Sequence, residues 1–86
     1  IPNEVTEQFK IAINAVDRCL KAVGAEAHHI VKVTIMLTDI RDRAAINPIR
    51  KSYFGDHLPA STLFEVSALV EPEMKVEIDV EAIIEK

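Results

Sequence analysis

The sequence has few residues that would cross-link the chain or keep it from packing. Among 86 residues there are one cysteine, two glycines and four prolines, and 49% of the residues are hydrophobic. The single Cys19 cannot form an internal disulfide, which favours a reducing compartment. The low glycine and proline content, with so many apolar residues, excludes a disordered chain. The length is enough for one domain, residues 1–86.

Long apolar runs and an excess of basic residues are also absent. No run approaches the roughly 18 residues of a membrane span, and the N-terminus carries no signal-like segment. The chain has ten basic and fourteen acidic residues, which gives a net charge of −4. Nucleic-acid affinity, in contrast, depends on Lys and Arg side chains that neutralise phosphates. We therefore predict no membrane or nucleic-acid partner and a cytoplasmic location. A mitochondrial location stays compatible if leading residues are missing.

Familiar catalytic motifs are missing too. There is no glycine-rich phosphate loop, no paired cysteine motif and no Ser-His-Asp order. His28 and His29 are adjacent, and neighbouring side chains of an extended segment point in opposite directions. No third ligand is spaced to complete a tetrahedral set. The sequence predicts neither a metal nor a cofactor.

A stripe of apolar residues near the N-terminus has helical spacing. Its members are three or four positions apart: Phe9, Ile13, Val16, Leu20 and Val23. This spacing predicts a helix over residues 4–23, with Asn3 as N-cap and Gly24 as the stop. Cys19 is predicted to be a small core residue of this helix.

A second helix is predicted further along the chain. Pro48 would break a continuous helix over residues 42–54 at a cost of about 3 kcal/mol. We therefore predict a single turn at residues 42–46 and a helix that begins at Asn47, with Asn47 as its N-cap and Pro48 as its first residue.

Period-two alternation predicts three strands. Residues 30–38 are rich in β-branched residues, and residues 64–70 and 76–84 alternate between apolar and polar. On the first strand, one predicted face carries Val31, Val33, Ile35 and Leu37. Residues 71–74 read as a hairpin loop between the last two strands. The first strand has apolar residues on both faces, which predicts that another subunit covers the side away from the helices.

The last strand carries acids on one face. Glu77, Asp79 and Glu81 alternate with apolar residues, so they project from one side of that strand. The hydroxyl residues Ser61 and Thr62 lie near the start of the preceding strand. We expect any chemistry of this chain near these residues.

Five segments, in this order and spacing, resemble the Rid proteins (the YjgF/YER057c/UK114 group), many of which are enamine/imine deaminases. They are Ala12-Ile13-Asn14-Ala15-Val16, residues 30–39, Ala44-Ala45-Ile46-Asn47, Tyr53-Phe54 and the two final strands. The resemblance implies an α+β fold, with two helices packed on one face of a mixed sheet, similar to chorismate mutase. It further implies a homotrimer that binds a small carboxylate or imine at its subunit interfaces. The extra strands that precede the first helix in the family are missing here.

The resemblance also implies site residues. Glu77 stands at the family's catalytic glutamate, and Asn47 at an asparagine of the substrate site. The family's Pro-Ala-Arg-Ser stretch corresponds to Pro59-Ala60-Ser61-Thr62, which makes Ser61 and Thr62 substrate-binding candidates. Ser61 thus replaces the arginine that binds a substrate carboxylate.

This replacement weakens the usual substrate recognition. A neutral hydrogen bond contributes about 0.5–1.5 kcal/mol, against about 1.5–3 for a bond to a charged group. Lys75 and Arg50 are the cations considered as substitutes. Three functions follow: a deaminase of the 2-iminobutanoate/2-iminopropanoate type, a non-catalytic ligand-binding or regulatory trimer, or a degenerate member that mainly self-associates.

Overall fold

The first predicted strand lies at the centre of a three-stranded sheet. The computed structural model describes residues 1–84, with the following helices and strands: α1 Val5–Ala22, β1 Ile30–Leu37, α2 Arg43–Phe54, β2 Ala60–Glu65 and β3 Val76–Ala82. The strand order is β2-β1-β3. Strand β1 pairs in parallel with β2 and antiparallel with β3. The predicted α+β fold with a mixed sheet is confirmed.

The core lies between the sheet and both helices. The six largest of the fully or almost fully buried side chains are Phe9, Ile30, Val33, Ile35, Leu37 and Ile46. The β1 side chains in this set face α1, which contributes Phe9, and α2, which contributes Ile46. Both helices therefore pack on one face, as predicted.

Val31 does not share that face, and this prediction is wrong. It is 43% exposed, whereas Ile30 is fully buried. The pairing of β1 with β3 has a register shift between Ile30 and Lys32. Such an irregularity changes which residue points inward, so Ile30 takes the place predicted for Val31.

The ends of α1 agree only in part with the prediction. Its N-cap is Glu4, which makes no side-chain capping bond, so the prediction of Asn3 was wrong. The carbonyl of Asn3 instead accepts a bond from the Lys75 ammonium. Gly24 does end the helix, with a φ of 79° that suits glycine. Cys19 is exposed, contrary to the predicted core position, because it lies on the side of α1 toward the free edge of β3.

Helix α2 runs through Pro48 without a break. It begins at Arg43, so Asn47 is an interior residue, and the predicted N-cap role is wrong. Proline lacks the N–H that would bond to the carbonyl four residues earlier. Ile46 before the proline and Phe54 after it are both buried in the same core. Tertiary packing thus outweighs the local preference.

The predicted hairpin between the last two strands is also wrong. Residues 71–74 do form a turn, in which Met74 N donates to Glu71 O at 3.0 Å. However, β2 and β3 lie on opposite sides of β1. Helix α2 connects β1 to β2, and such a crossover allows parallel pairing. Strand β2 also ends at Glu65, so residues 66–70 do not continue the predicted alternation.

Within residues 1–84, no helix has the length and apolar character needed to cross a membrane.

Candidate functional site

The sheet face away from the helices carries polar and ionisable residues in three rows. Residues paired across neighbouring strands project to the same side of a sheet. From β2 through β1 to β3, the rows are Phe64, Met36, Glu77; Thr62, Thr34, Asp79; and Ala60, Lys32, Glu81. We call this surface the bare face. It combines three carboxylates, two threonine hydroxyls, one ammonium group and two large apolar side chains.

The predicted row of carboxylates is present on the bare face. Glu77 is half-buried, whereas Asp79 and Glu81 are exposed. Glu77 is paired with Met36 on the central strand, and Phe64 lies on the other side of Met36. Among the three acids, Glu77 is therefore the least exposed to solvent, and its neighbours on the bare face are the most apolar.

Ser61 and Thr62 point to opposite sides of the sheet. Thr62 is paired with Thr34 on the bare face, whereas Ser61 is paired with Val33, whose side chain faces the helices. Both β2 residues are exposed. Strands are about 4.8 Å apart and residues rise about 3.3 Å each, so the Cα atoms of Thr62 and Glu77 are roughly 12 Å apart. The central strand β1 lies between them on the bare face.

Asn47 lies in the helical layer, on the other side of the sheet from Glu77. Its Oδ1 accepts bonds from Arg50 Nε at 3.2 Å and Arg50 Nη2 at 2.8 Å. Arg50 is therefore engaged within α2. The Lys75 ammonium is engaged with Asn3 O. Neither of the two suggested substitutes for the arginine points freely at Glu77 within one chain.

Three residues of β1 belong to the bare face but were not predicted from the sequence as site residues. Lys32, Thr34 and Met36 lie at alternate positions. The period-two pattern alone placed them together, but it did not show that β1 is the central strand. Knowledge of the strand order was needed to see that Thr34 stands between Thr62 and Asp79.

The two adjacent histidines lie in the 3₁₀ turn Ala27–His29. Their ring centroids are 4.1 Å apart, so the expectation that the side chains point apart was wrong. The segment is a turn and not extended. His29 Nδ1 accepts a bond from Glu26 N at 2.9 Å, which caps the turn.

Two basic residues near α2, Arg41 and Arg50, donate side-chain hydrogen bonds to neighbours. Arg41 donates to both carboxylate oxygens of Asp39, with Nη2 to Oδ2 at 2.7 Å and Nε to Oδ1 at 3.0 Å. These bonds hold the pKa of Asp39 at about 2. Arg41 is thus paired with an acid, whereas Arg50 is bound only to the neutral amide of Asn47.

A second group of linked polar side chains lies between the helices. Tyr53 Oη donates to Asp17 Oδ1 at 2.9 Å, and Lys21 Nζ lies 2.8 Å from Asp17 Oδ2. The bond from Lys21, followed by that from Tyr53, lowers the pKa of Asp17. Burial, the bond to Asp17 and the charge of Asp17 raise the pKa of Tyr53 to about 12. This cluster joins α1 to α2 and is remote from the bare face.

Tyr53 offers a direct test of this packing, because it is the only tyrosine. We expect its phenol to titrate at about 12, instead of the usual value of about 10. The raised pKa favours folding below about pH 10, and this stability is lost as the pH rises through the folded value. In Asp17→Asn the titration midpoint of the Tyr53 phenol should fall toward about 10 but stay above it, because burial remains.

This midpoint is measured by the near-ultraviolet absorbance of the phenolate, and Asp56→Asn is the control. An unchanged midpoint in Asp17→Asn would contradict the link between Tyr53 and Asp17.

The described residues define an α+β domain whose helices cover one face of a mixed sheet and whose other face carries acids and hydroxyls. The family profile of Endoribonuclease L-PSP matches residues 1–84, and the chain belongs to this family. A structure from Mycobacterium tuberculosis, a member of the YjgF/YER057c/UK114 family, superposes with a TM-score of 0.93. That match has 26% identity and covers 98% of this chain and 71% of the other. The predicted Rid membership and fold are confirmed.

Two curated relatives have names that state an activity. The 2-iminobutanoate/2-iminopropanoate deaminase of Rattus norvegicus is 39% identical over 69 residues, which are 80% of this chain and 50% of the relative. The human deaminase of the same name is 37% identical over 79 residues, 92% of this chain and 57% of the relative. The chain thus spans about half the length of these relatives.

Proposed function

We propose that this chain is part of an enamine/imine deaminase, which hydrolyses small imines of the 2-iminobutanoate/2-iminopropanoate type to keto acids and ammonia. The observation that carries the proposal is the half-buried Glu77 on the bare face. It occurs in a chain that is 39% identical to a deaminase that acts on these compounds. The proposed class is a hydrolase of C=N bonds that uses neither metal nor cofactor.

The reaction needs a group that moves two protons from oxygen to nitrogen, one in each of two steps. The oxygen of water adds to the imine carbon while the imine nitrogen takes up a proton, which yields a carbinolamine. The C–N bond then breaks as the C=O bond forms, and ammonia leaves. In the first step Glu77 would accept a proton from the attacking water and pass it to the imine nitrogen. In the second step it would accept the carbinolamine hydroxyl proton and pass it to the departing nitrogen. A single carboxylate held in place serves both steps.

Substrate binding is assigned to Thr62, Ser61 and Asn47. Thr62 shares the bare face with Glu77, whereas Ser61 and Asn47 lie on the helical side. The four residues are too far apart to touch one small molecule within a single chain. The proposed site is therefore shared between copies, in clefts where the bare face of one copy meets residues of the next.

A homotrimer supplies these clefts and covers the bare face. Phe64 is 43% exposed, and burial of such apolar surface favours association by about 25 cal/mol per Å². Sedimentation equilibrium should give three times the mass of the chain. Met36→Glu, which puts a charge in the centre of the bare face, should dissociate the assembly. Val23→Glu, at a position that is 68% exposed at the end of α1, should not. A monodisperse wild-type monomer would rule the trimer out.

The deaminase proposal is tested by ammonia release from imines generated by an amino-acid oxidase. We expect the full-length protein to accelerate ammonia release above the rate without protein. Equal rates with and without protein would reject the proposal. Addition of a chelator should leave the rate unchanged, since no proposed step uses a metal.

Ser61 favours one alternative, a non-catalytic ligand-binding or regulatory trimer. A serine hydroxyl lacks the charge and the two-pronged geometry with which arginine binds a carboxylate. Such a protein would retain the clefts and bind small carboxylic acids without turnover. Heat of binding measured by calorimetry, together with no ammonia release, would favour this function.

Location and nucleic-acid binding stay predictions. The lone, exposed Cys19 supports a reducing compartment, and we propose the cytoplasm or the mitochondrion. The net charge of −4 and the acidic bare face speak against an RNA partner.

A further inference from the structure

Gln8 is the one buried polar residue among residues 1–84, at 8% exposure. Its side-chain amide makes three hydrogen bonds to backbone. Nε2 donates to Pro2 O at 2.7 Å and to Glu73 O at 2.9 Å, and Oε1 accepts from Lys75 N at 2.7 Å. The reverse orientation of the amide would place Oε1 against two carbonyl oxygens, so the three partners define its orientation. Nothing in the sequence pattern of α1 points to this role.

Two of these bonds hold the turn that precedes β3. They grip the chain on both sides of Met74, at Glu73 O and Lys75 N. The other side of Lys75 is held as well, because Thr38 N donates to Lys75 O at 3.0 Å. Both backbone polar groups of Lys75 are thus bound, one by α1 and the other by the residue that follows β1.

The clamped residue lies two positions before Glu77. Strand β3 begins at Val76, which is 4% exposed and paired with Leu37, and Glu77 then pairs with Met36. A shift of one residue at this end would turn Glu77 to the helical side. The start of β3 therefore decides where the Glu77 carboxylate points.

We infer that Gln8 is a positioning residue for Glu77, which it serves by clamping the 71–75 turn to α1. The inference concerns catalysis only through the proposed deaminase function, on which it rests. Only a primary amide offers both the two donors and the acceptor that this site uses. Glutamate would present an oxygen to two carbonyls, and methionine would leave all three backbone groups without the bonds.

The test compares Gln8→Met and Gln8→Glu with the wild type in the full-length protein, below the melting temperature of each variant. In both variants we expect the Lys75 amide to exchange with solvent about tenfold faster and the NMR signal of the Glu77 carboxylate to shift. We expect kcat to fall roughly 10- to 100-fold, since a small misplacement of a reacting group has effects of this size. KM should change little. Glu7→Gln, an exposed substitution in the same first turn of α1, is the control and should leave all four readouts unchanged.

These readouts separate the inference from the function on which it rests. A merely structural role would lower the melting temperature while the Glu77 signal and kcat of the folded variants stayed as in the wild type, and that result would overturn the inference. If the wild type releases no ammonia, the proposed function fails. The NMR signal of the Glu77 carboxylate then tests the positioning role by itself. A shift in the Gln8 variants but not in Glu7→Gln supports the clamp, and no shift in the Gln8 variants rejects it.

Discussion

Glu77→Gln should reduce ammonia release from imines by roughly 10²- to 10⁴-fold, the usual contribution of a general acid–base group. The amide keeps the size and shape of the carboxylate but cannot accept the proton of the attacking water. Because Glu77 lies on the bare face and not in the core, the variant should fold and assemble as the wild type does. The initial rate of ammonia release, with sedimentation as a check on assembly, measures the effect.

The matched control is Asp79→Asn, two positions along the same strand and on the same face. Asp79 is more exposed than Glu77 and is paired with Thr34. Its substitution removes the same charge but not the proposed proton acceptor, so its rate should stay close to that of the wild type. A large loss of activity in Asp79→Asn, with wild-type activity in Glu77→Gln, would show that Asp79 and not Glu77 moves the proton.

Phe9→Ala should lower the free energy of unfolding by about 3–5 kcal/mol. Phe9 is fully buried and joins α1 to the sheet, so its removal leaves a cavity lined by core residues. A typical domain is stable by only about 5–15 kcal/mol, and small domains lie toward the lower end. We expect the midpoint of urea unfolding, followed by circular dichroism, to fall steeply.

Ile11→Ala is the control for this effect. Ile11 lies two positions along the same helix and is 54% exposed, so little apolar surface is lost from the interior. Its substitution should change stability by no more than about 0.5 kcal/mol. Equal midpoints for the two variants would mean that the core does not lie between α1 and the sheet.

Helix α1 and strands β1 and β3 were predicted because the spacing of their apolar residues follows their burial, whereas the predicted second strand, residues 64–70, overlaps β2 only at residues 64 and 65. The stripe of α1 and the alternation of β1 follow from which side chains must leave water. The same alternation placed Glu77 and Asp79 on one face before the fold was known. Local rules failed where they compete with distant contacts. Asn3 and Asn47 suit an N-cap, yet Glu4 and Asp42 occupy the N-cap positions, because packing of the core sets where each helix starts.

The candidate site shows the same division. The sequence, through its resemblance to the Rid proteins, named Glu77, Ser61, Thr62 and Asn47. It could not show that Ser61 and Thr62 face opposite ways relative to Glu77, since this depends on the pairing of β2 with β1. Nor could it identify Gln8, whose importance comes from backbone groups more than sixty residues away in sequence.

The order of residues alone thus specified α1, β1 and β3, the acidic side of β3 and the family, because periodicity and motif spacing are local properties of a chain. Only the tertiary structure decided that β1 is central, that α2 continues through Pro48 and that Gln8 clamps the start of β3. Each of these depends on free energy gained between segments that are far apart in sequence. No local pattern contains that information.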